Sequence, residues 1–330
     1  MKALQFIGAG EPLASVEIDD PSPGPGWVVI DVHAAGLCHS DLHILHGPGS
    51  DWVAKKPIVL GHEVAGTVSA LGDGVTGVSI GERVGVALIA HPLEAGLVYA
   101  PGLAVDGGYA EKTLVHESVL VPIPDNVSFA QAAVATDSIA TAYHAVRTTA
   151  EVREGHIVGI IGLGGLGLNG VRIASLLGAK VYGVDTNPRT FDIARDMGAV
   201  ECFADIADLK ALEPHVIIDF AGAGLTTAVA VETVRPAGRV VVIGLEAGTA
   251  EINISHMVLA SVQLHGSLGA SKQDLVEVYD LLASGALRPP IEEVVFDEVP
   301  AALERLQRGE VTGRLVTNPQ RADDRRHTRS

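Results

Sequence analysis

The chain has 330 residues, enough for two domains that each bury a sizeable core. Acidic residues outnumber lysines and arginines by 40 to 23, and the formal net charge of −17 argues against nucleic acid or an anionic membrane as a partner. No apolar run reaches the ~18 residues that a transmembrane helix needs, and the first residues resemble a strand rather than a signal peptide. The two cysteines, Cys38 and Cys202, are far apart and give no disulfide framework. We therefore expect a soluble cytoplasmic protein.

The first part of the chain, to about residue 125, has the composition of a compact β-rich unit. Clusters of Gly, Pro and Asp separate stretches that are rich in Val and Ile. The expected strands lie within 27–33, 58–68, 82–88 and 109–115. Ser128 and Gln131 then form a capping box, which predicts a helix to about Arg147.

From about Glu154 the pattern changes to alternating strands and helices. Such alternation is typical of a doubly wound parallel sheet, with strands expected at 156–161, 180–184, 215–219, 239–244 and 262–266. Asn187 and Pro188 predict a helix start that Gly198 closes, and a further helix is expected over 272–283. Beyond Leu287 the alternation stops, so we expect the chain to return to its first domain.

The predicted fold is therefore α/β, with a β-rich domain interrupted in sequence by a parallel-sheet domain. We expect residues 1–147, completed by 286–318, to form the first domain, and residues 148–285 to form the second. The polar segment 319–330 is expected to be a disordered tail.

A glycine motif follows the first strand of the second domain. Residues 156–161 are apolar and bounded by glycines, as in a buried parallel strand. Gly162, Gly164 and Gly167 then supply G-x-G-x-x-G before a helix that ends near Gly178. Gly162 permits a tight turn, Gly164 lets the backbone approach a pyrophosphate, and Gly167 lets the helix pack closely on the strand. The helix N-terminus offers free N–H groups to the phosphates.

The residues after the second strand support a dinucleotide site. The motif alone is weak, because glycine-rich turns are common, and a sheet without nucleotide is the alternative. Asp185 ends the second strand, about 20 residues after the motif, where a carboxylate accepts hydrogen bonds from the adenosine ribose. It would repel a 2′-phosphate, so NAD is favoured over NADP. Arg189 either stacks on the adenine or is solvated.

Two short polar stretches in the β-rich part form a second candidate site. Residues 36–43 read G-L-C-H-S-D-L-H, and residues 61–63 read G-H-E. A single buried Cys or strand-end His is more often a core residue than a ligand. Here Cys38 and His62 each stand among polar groups directly beside an apolar strand. Catalytic zinc takes three protein ligands of N, S or O type and keeps a fourth position open.

Four motifs occur in an order and at a spacing that resemble those of the zinc-dependent medium-chain alcohol dehydrogenases. They are the two stretches above, D106-G-G-Y-A-E111 and G162-L-G-G-L-G167. The resemblance covers residues 1–318. It implies a GroES-like catalytic domain interrupted by a Rossmann domain, one catalytic zinc and NAD. It also implies a homodimer or homotetramer that pairs across the edge formed by residues 240–243 and Gly266.

The resemblance implies roles for residues of the candidate metal site. Cys38 and His62 match zinc ligands, and Glu63 matches an acid behind the metal that can exchange with its water. Asp41 matches a carboxylate that orients the ligand histidine. Ser40 matches the hydroxyl that hydrogen-bonds the substrate alkoxide, and His43 the outer end of the proton relay.

The resemblance also implies cofactor contacts. His39 and Arg314 match residues that contact the pyrophosphate, and Thr141 one beside the nicotinamide. The full set of expected cofactor-binding residues comprises His39, Thr141, Gly162, Leu163, Gly164, Gly165, Leu166, Gly167, Asp185, Arg189, Ile243, Leu268 and Arg314.

The sequence departs from the family pattern in two places. Where the family commonly has a third cysteine ligand this chain has Asp137, whose carboxylate can bind zinc and keeps the negative charge of a thiolate. The alternative is a metal-free site in which Asp137 makes only local bonds; Glu63 is the substitute ligand if Asp137 is not one. The segment 87–106 lacks the four cysteines of the structural zinc, and His91 and Glu94 are too few to replace them, so we predict one zinc per chain.

These features predict reversible hydride transfer between NAD and a primary or secondary alcohol. The alternatives are a zinc-free quinone or enone reductase of the same fold and a non-catalytic dinucleotide-binding protein. Ile44, Leu45 and Trp52 either line an apolar substrate cleft or belong to the core.

Overall fold

The computed structural model describes residues 1–93 and 97–321. These residues form two compact units, Met1–Ser138 with Ala270–Ser330, and Ile139–Gly269. The domain boundaries expected from the sequence, 147/148 and 285/286, remain predictions about where the family's domains divide. Glu94 and residues 322–330 of the expected tail lie outside the described residues. Just before them, Gln320 donates to the Glu111 carbonyl, and Arg321 lies 3.0 Å from Glu293.

The strands, in chain order, are β1 (Lys2–Phe6), β2 (Ala14–Glu17), β3 (Trp27–Leu37), β4 (Ile58–Val59), β5 (Glu63–Leu71), β6 (Arg83–Val86), β7 (Lys112–His116), β8 (Leu120–Pro122), β9 (Ile157–Ile161), β10 (Lys180–Val184), β11 (Ala199–Phe203), β12 (Val216–Asp219), β13 (Arg239–Val242), β14 (Gln263–Gly266), β15 (Ile291–Val294) and β16 (Arg314–Thr317). The α-helices are α1 (His39–His46), α2 (Phe129–Val134), α3 (Ala140–His144), α4 (Gly165–Leu176), α5 (Phe191–Asp196), α6 (Leu225–Thr233), α7 (Ile254–Leu259), α8 (Lys272–Ala283) and α9 (Val299–Gln307). Shorter 3-10 turns lie at Glu117–Val119, Pro188–Thr190, Ile206–Leu212 and Phe296–Glu298.

The main sheet of the first unit has the strand order β15-β16-β3-β5-β6-β8, and β7 also pairs with β3. A smaller sheet has the order β2-β1-β4. Strand β3 pairs antiparallel with β5, β7 and β16. Its end is in register with two strands from distant parts of the chain, since Gly36 lies opposite Glu63 and Leu37 opposite Leu315. This register brings the start of α1, the start of β5 and the start of β16 to one end of the sheet.

The second unit contains a parallel sheet of order β11-β10-β9-β12-β13-β14. The expected parallel sheet is confirmed, and each of its five predicted strands is present within one or two residues of its predicted bounds. Strand β11 was not among them. All strand carboxyl ends lie along one edge because the strands are parallel. The core packs residues of β9, β12 and β13 against α6, among them Ile161, Ile217, Val231 and Val240.

The predicted helix after Ser128 is confirmed, but it is not a regular α-helix. Ser128 Oγ accepts from the Gln131 N–H at 3.2 Å, and Gln131 Oε1 accepts from the Ser128 N–H at 3.1 Å, which completes the capping box. After α2 the chain forms a π-helical turn at Ala135–Ile139, then α3, then a second π-helical turn at Ala145–Thr149. Such turns inside helices occur frequently at functional sites, and the first one contains Asp137.

Helix α1 was not predicted. It begins directly after β3, where the Cys38 N–H donates to Asp41 Oδ2 at 3.0 Å and so caps the first turn. In the C-terminal segment, which was expected to return to the first domain, β15 and β16 extend the sheet of β3. The helix predicted over 272–283 is α8. It belongs to the first unit, where the Tyr279 hydroxyl donates to the Ala132 carbonyl at 3.3 Å.

A buried carboxylate organises the turn after β12. Asp219 is fully buried, and its Oδ1 accepts from the N–H groups of Ala221 at 3.1 Å and Gly222 at 2.9 Å. Its Oδ2 accepts from the hydroxyls of Thr226 at 2.7 Å and Thr227 at 2.8 Å. The turn and the first residues of α6 thus share one acceptor group.

Replacing Asp219 by Ala should lower the free energy of unfolding by about 3 kcal/mol, because four donors lose a buried acceptor. Urea unfolding of the full chain, followed by circular dichroism, measures this. Asp192→Ala is the control: it removes a carboxylate that is 93% exposed and paired with Arg195, and it should leave the urea midpoint almost unchanged. Equal midpoints for the two variants would contradict the assignment.

Candidate metal and nucleotide sites

Four side chains with metal-binding atoms converge in the first unit. One ligand atom each of Cys38, His62, Glu63 and Asp137 lies within 4.8 Å of the other three. Cys38 stands between β3 and α1, His62 precedes β5, Glu63 begins it, and Asp137 lies in the π-helical turn. Cys38, His62 and Glu63 are buried, while 13% of the Asp137 side chain is exposed. The sequence alone had suggested a site here, and the fold brings its members together.

The distances within this cluster suit a metal ion. Asp137 Oδ2 lies 3.4 Å from His62 Nε2 and 4.0 Å from Cys38 Sγ. Two atoms held ~2.0–2.3 Å from one tetrahedral zinc lie about 3.3–3.7 Å apart; the separation of Asp137 and His62 falls in this range, and that of Asp137 and Cys38 is slightly longer. Glu63 Oε2 is buried and has no hydrogen-bond partner among the described residues. A buried oxygen without a hydrogen-bond partner is consistent with a bound cation. A thiolate, an imidazole and a carboxylate are also donors that zinc accepts.

Asp41 connects the candidate metal ligands to Tyr109, a residue for which the sequence pattern had indicated no role. Asp41 Oδ1 lies 3.4 Å from His62 Nδ1, and Asp41 Oδ2 accepts from the Tyr109 hydroxyl at 2.7 Å. Burial opposes protonation of His62, but the Asp41 carboxylate and contacts with Asp137 and Cys38 outweigh it, so the pKa of His62 lies well above its usual value. Burial raises the pKa of Tyr109 well above its usual value, which keeps the hydroxyl a donor. The only sequence signal for Tyr109 was its place in the 106–111 motif.

Glu63 forms a buried ion pair with Arg314, the first residue of β16. Arg314 is 3% exposed and Glu63 is 0% exposed. Burial raises the pKa of the Glu63 carboxyl, and the Arg314 guanidinium opposes this shift. Gly36 leaves room for the pair, since a Cβ atom there would collide with the Glu63 carboxylate. The expected contact of Arg314 with a pyrophosphate remains a prediction; the sequence did not predict its partner Glu63.

Helix α1 presents the other candidate catalytic residues. Ser40 Oγ lies 3.7 Å from Cys38 Sγ, which places the hydroxyl beside the candidate metal ligands. His43 follows three residues later, on the same face of the helix, and its ring centroid lies 5.9 Å from that of Trp52. His39, at the start of the helix, is solvent-exposed.

The three residues considered for a substrate cleft differ in exposure. Ile44 is fully buried in the core of the first unit, and Leu45 packs against that core. Trp52 is 43% exposed. Ile44 is therefore a core residue, whereas part of the Trp52 side chain is accessible to solvent.

The glycine motif has the geometry that its sequence indicated. Gly162 has φ +83°, a conformation that favours glycine, and a Cβ atom there would lie 3.0 Å from the Ala221 nitrogen. A Cβ atom at Gly167 would collide with the Gly162 carbonyl oxygen. At Gly164, by contrast, a Cβ atom would meet no atom within 4 Å. Gly162 and Gly167 are thus needed for the turn itself, while Gly164 faces open space at the N-terminus of α4.

Asp185 has a structural contact that the sequence did not reveal. Its Oδ2 accepts from the Leu163 N–H at 2.7 Å, and its Oδ1 accepts from the Asn187 N–H at 2.8 Å. The carboxylate therefore ties the glycine turn to the end of β10. Carboxylate oxygens accept more than one hydrogen bond, and the ribose contact of Asp185 remains a prediction.

The remaining expected cofactor residues in this unit differ in exposure. Leu163 is buried, Gly165, Leu166 and Ile243 are half-buried, Thr141 in α3 is 5% exposed, and Arg189 and Leu268 are exposed. Their contacts with a cofactor remain predictions.

Comparison with known proteins identifies the family. Residues 24–125 match the alcohol dehydrogenase GroES-like domain, and residues 165–284 match the zinc-binding dehydrogenase domain. An alcohol dehydrogenase of Geobacillus stearothermophilus is 30% identical over 343 residues, covering 96% of this chain and 98% of its own length. The chain belongs to the medium-chain dehydrogenase/reductase family.

Solved structures of the medium-chain dehydrogenase/reductase family agree with this fold. Acetophenone reductase from Geotrichum candidum in complex with NAD superposes with a TM-score of 0.87 at 31% identity, covering 96% of each chain. The alcohol dehydrogenase of Aeropyrum pernix gives 0.89 at 28% identity, covering 97% of this chain and 100% of its own. The predicted combination of a GroES-like and a Rossmann fold is confirmed, and membership in this family makes the chain an oxidoreductase. Every helix among the described residues is too short or too polar to cross a membrane.

The glycine geometry leads to a test of the nucleotide site. Gly164→Ala should leave the stability unchanged, because its methyl group enters open space, but should weaken NADH binding roughly tenfold by blocking the approach of the pyrophosphate to the backbone. Gly167→Ala should instead lower the free energy of unfolding by about 1–3 kcal/mol through overpacking. Urea unfolding and a fluorescence titration with NADH measure the two effects. Unchanged NADH affinity in Gly164→Ala would place the pyrophosphate elsewhere.

Proposed function

We propose that this chain is a zinc-dependent alcohol dehydrogenase that uses NAD to interconvert a primary or secondary alcohol and its aldehyde or ketone. The observation that carries the proposal is the convergence of Cys38, His62, Glu63 and Asp137, with Asp41 behind the imidazole. Relatives called alcohol dehydrogenases support it at the level of the family. A zinc-free quinone or enone reductase has no need for this cluster, and a non-catalytic dinucleotide-binding protein has none either.

Cys38, His62 and Asp137 would hold the zinc, and Glu63 is the alternate ligand. The three donors are of the types that zinc accepts, and a catalytic site keeps its fourth position open for substrate. When bound there, zinc supplies a Lewis acid that polarises the substrate oxygen and makes its proton more acidic. Since Asp137 replaces a thiolate with a harder oxygen donor, the Lewis acidity of a zinc bound there should be somewhat greater.

The residues of α1 handle the substrate and its proton. Ser40 Oγ, beside Cys38 Sγ, accepts the proton of the alcohol hydroxyl and holds the oxygen in place. His43, on the same helix face, would be the outer member of the relay and would release the proton to solvent. His39 and Arg314 are proposed to contact the pyrophosphate. When bound, NAD would accept a hydride from the alcohol carbon and so would supply the redox chemistry.

The proposed cofactor is NAD rather than NADP. Asp185 places a carboxylate at the end of β10, and this charge would repel a 2′-phosphate on the adenosine ribose. The Leu163 and Asn187 N–H groups fix the orientation of this carboxylate. The acetophenone reductase with a similar fold was solved with NAD.

We further propose one zinc per chain and a homodimer or homotetramer. Strand β14 is the edge of the parallel sheet, and all four of its residues are exposed. Unpaired edges are templates for pairing with a second strand. Next to it in the sequence, α7 exposes Ile254, Val258 and Leu259, at 67%, 64% and 87%. A second copy of the chain would cover these apolar side chains.

Asp137→Ala should lose both the zinc and the activity, since a tetrahedral site with two protein ligands binds zinc far more weakly. Elemental analysis should find one zinc per wild-type chain and much less in the variant. NADH formation from simple alcohols should fall about a thousandfold or more. Asp73→Ala, which removes an exposed carboxylate of the same unit, should keep metal and activity. A metal-free wild type that still binds NADH would move the chain to the zinc-independent reductases.

Asp185→Asn should shift the cofactor preference, because it removes the charge but keeps an acceptor oxygen for the Leu163 N–H. The ratio of kcat/KM for NAD to that for NADP should fall at least tenfold. Asp192→Asn removes an exposed charge from the neighbouring helix α5 and serves as the control. The same ratio in both variants would show that Asp185 does not face the ribose.

A further inference from the structure

The loop 106–109 runs alongside the segment that leads into His62. The Gly107 N–H donates to the Val59 carbonyl at 2.8 Å, and the Gly108 N–H donates to the Gly61 carbonyl at 2.7 Å. The Tyr109 N–H donates to the Leu60 carbonyl at 2.9 Å. Three consecutive residues of the loop are therefore fixed to the three residues that precede His62.

Side-chain contacts strengthen this attachment. Asp106 Oδ1 accepts from the Val59 N–H at 2.9 Å, and its Oδ2 accepts from Lys55 Nζ at 2.7 Å. Gly61 has φ +90°, and a Cβ atom there would lie 2.6 Å from the Tyr109 ring. The ring can occupy its place because residue 61 has no side chain.

The Tyr109 ring is fully buried, and its hydroxyl contacts the carboxylate of Asp41, which lies beside the candidate ligand His62. Asp41 Oδ2 accepts from this hydroxyl at 2.7 Å and from the Cys38 N–H at 3.0 Å. Asp41 Oδ1 is left to face His62 Nδ1 at 3.4 Å, and neither of these two atoms has another hydrogen-bond partner among the described residues. Two donors thus fix one carboxylate oxygen, and the other is directed at the imidazole.

We propose that Tyr109 is a positioning residue for the metal site, acting through Asp41 on the ligand His62. By holding Asp41 Oδ2, the hydroxyl prevents rotation of the carboxylate and keeps Oδ1 opposite His62 Nδ1. A proton on Nδ1 then leaves the Nε2 lone pair directed toward Asp137 and free to bind zinc. The inference rests on the proposed zinc site and adds an outer residue to it.

Tyr279 shows what a purely structural buried tyrosine looks like in the same unit. It is also almost fully buried, and its hydroxyl donates to the Ala132 main-chain carbonyl at 3.3 Å. Phenylalanine can fill the space of either ring, so the two hydroxyls can be removed without changing the packing. Only the Tyr109 hydroxyl contacts a carboxylate that faces a proposed ligand.

Zinc dissociation constants of Tyr109→Phe and Tyr279→Phe, measured by competition with a chromophoric chelator, test the proposal. Tyr109→Phe should bind zinc about tenfold more weakly than wild type, within the range for residues that orient metal ligands. Tyr279→Phe should bind zinc as wild type does. Urea unfolding of the metal-free proteins measures the stability loss of each variant, so a fold defect is separated from a metal defect. Equal zinc affinities in Tyr109→Phe and wild type would overturn the proposal.

A double-mutant cycle with Asp41→Ala tests the route of the effect. If Tyr109 acts through Asp41, adding Tyr109→Phe to Asp41→Ala should weaken zinc binding less than about twofold. A full tenfold loss in the Asp41→Ala background would overturn the proposed route. A wild type that binds no zinc would overturn the proposed function and this inference with it. A wild type that binds zinc, with no loss in Tyr109→Phe, would overturn this inference alone.

Discussion

The register at the end of β3 is the constraint on which the candidate metal site depends. Gly36 lies opposite Glu63, and Leu37 lies opposite Leu315. Since side chains alternate between the two faces of a strand, a shift of one residue in either pairing would turn these side chains to the opposite face. The antiparallel hydrogen bonds along the rest of β3 prevent such a shift. The position of Cys38 at the start of α1 follows from where β3 ends.

Charge balance explains why a cation suits this location. Three carboxylates lie in this cluster: those of Asp41 and Asp137 are each 3.4 Å from the His62 imidazole, and that of Glu63 pairs with the Arg314 guanidinium. Removing this many charges from water is costly unless each is paired or hydrogen-bonded. Tyr109 and the Cys38 N–H stabilise Asp41, and Arg314 stabilises one oxygen of Glu63. With His62 as a neutral ligand, the three carboxylates exceed the single guanidinium in charge, and a divalent metal ion would offset that excess.

Local sequence signals predicted much of the fold. The bounds of α8 agree with the predicted helix over 272–283, and Asn187 caps the 3-10 turn Pro188–Thr190 that leads into α5. The parallel strands follow from apolar runs between glycines. Helix α1 was missed because its polar residues lack the apolar spacing of a core-facing helix and because a cysteine stands at its N-cap. The parallel sheet was predictable since each of its strands carries its own signal.

The candidate site was predictable only in part. The grouping of Cys38, His62 and Asp137 came from a family resemblance, because nothing in the spacing of residues 99 apart shows that Cys38 meets Asp137. The pair of Glu63 and Arg314 spans 251 residues, and that of Asp41 and Tyr109 spans 68. Such contacts depend on the order of strands in the sheet and on which carboxylate oxygen already accepts a hydrogen bond. The local sequence pattern predicts neither the strand order nor these hydrogen bonds.

The wide separation of Glu63 and Arg314 also determines the order in which a newly made chain can assemble. A ribosome adds about 5–20 residues per second, so Arg314 follows Glu63 by roughly 10–50 s. The unit Ile139–Gly269 is continuous in sequence and is complete within that interval. The first unit cannot be completed before β16 has been synthesised. Until then, the Arg314 guanidinium is not available to pair with the Glu63 carboxylate. A nascent chain can therefore complete the parallel-sheet unit before the candidate metal site can form.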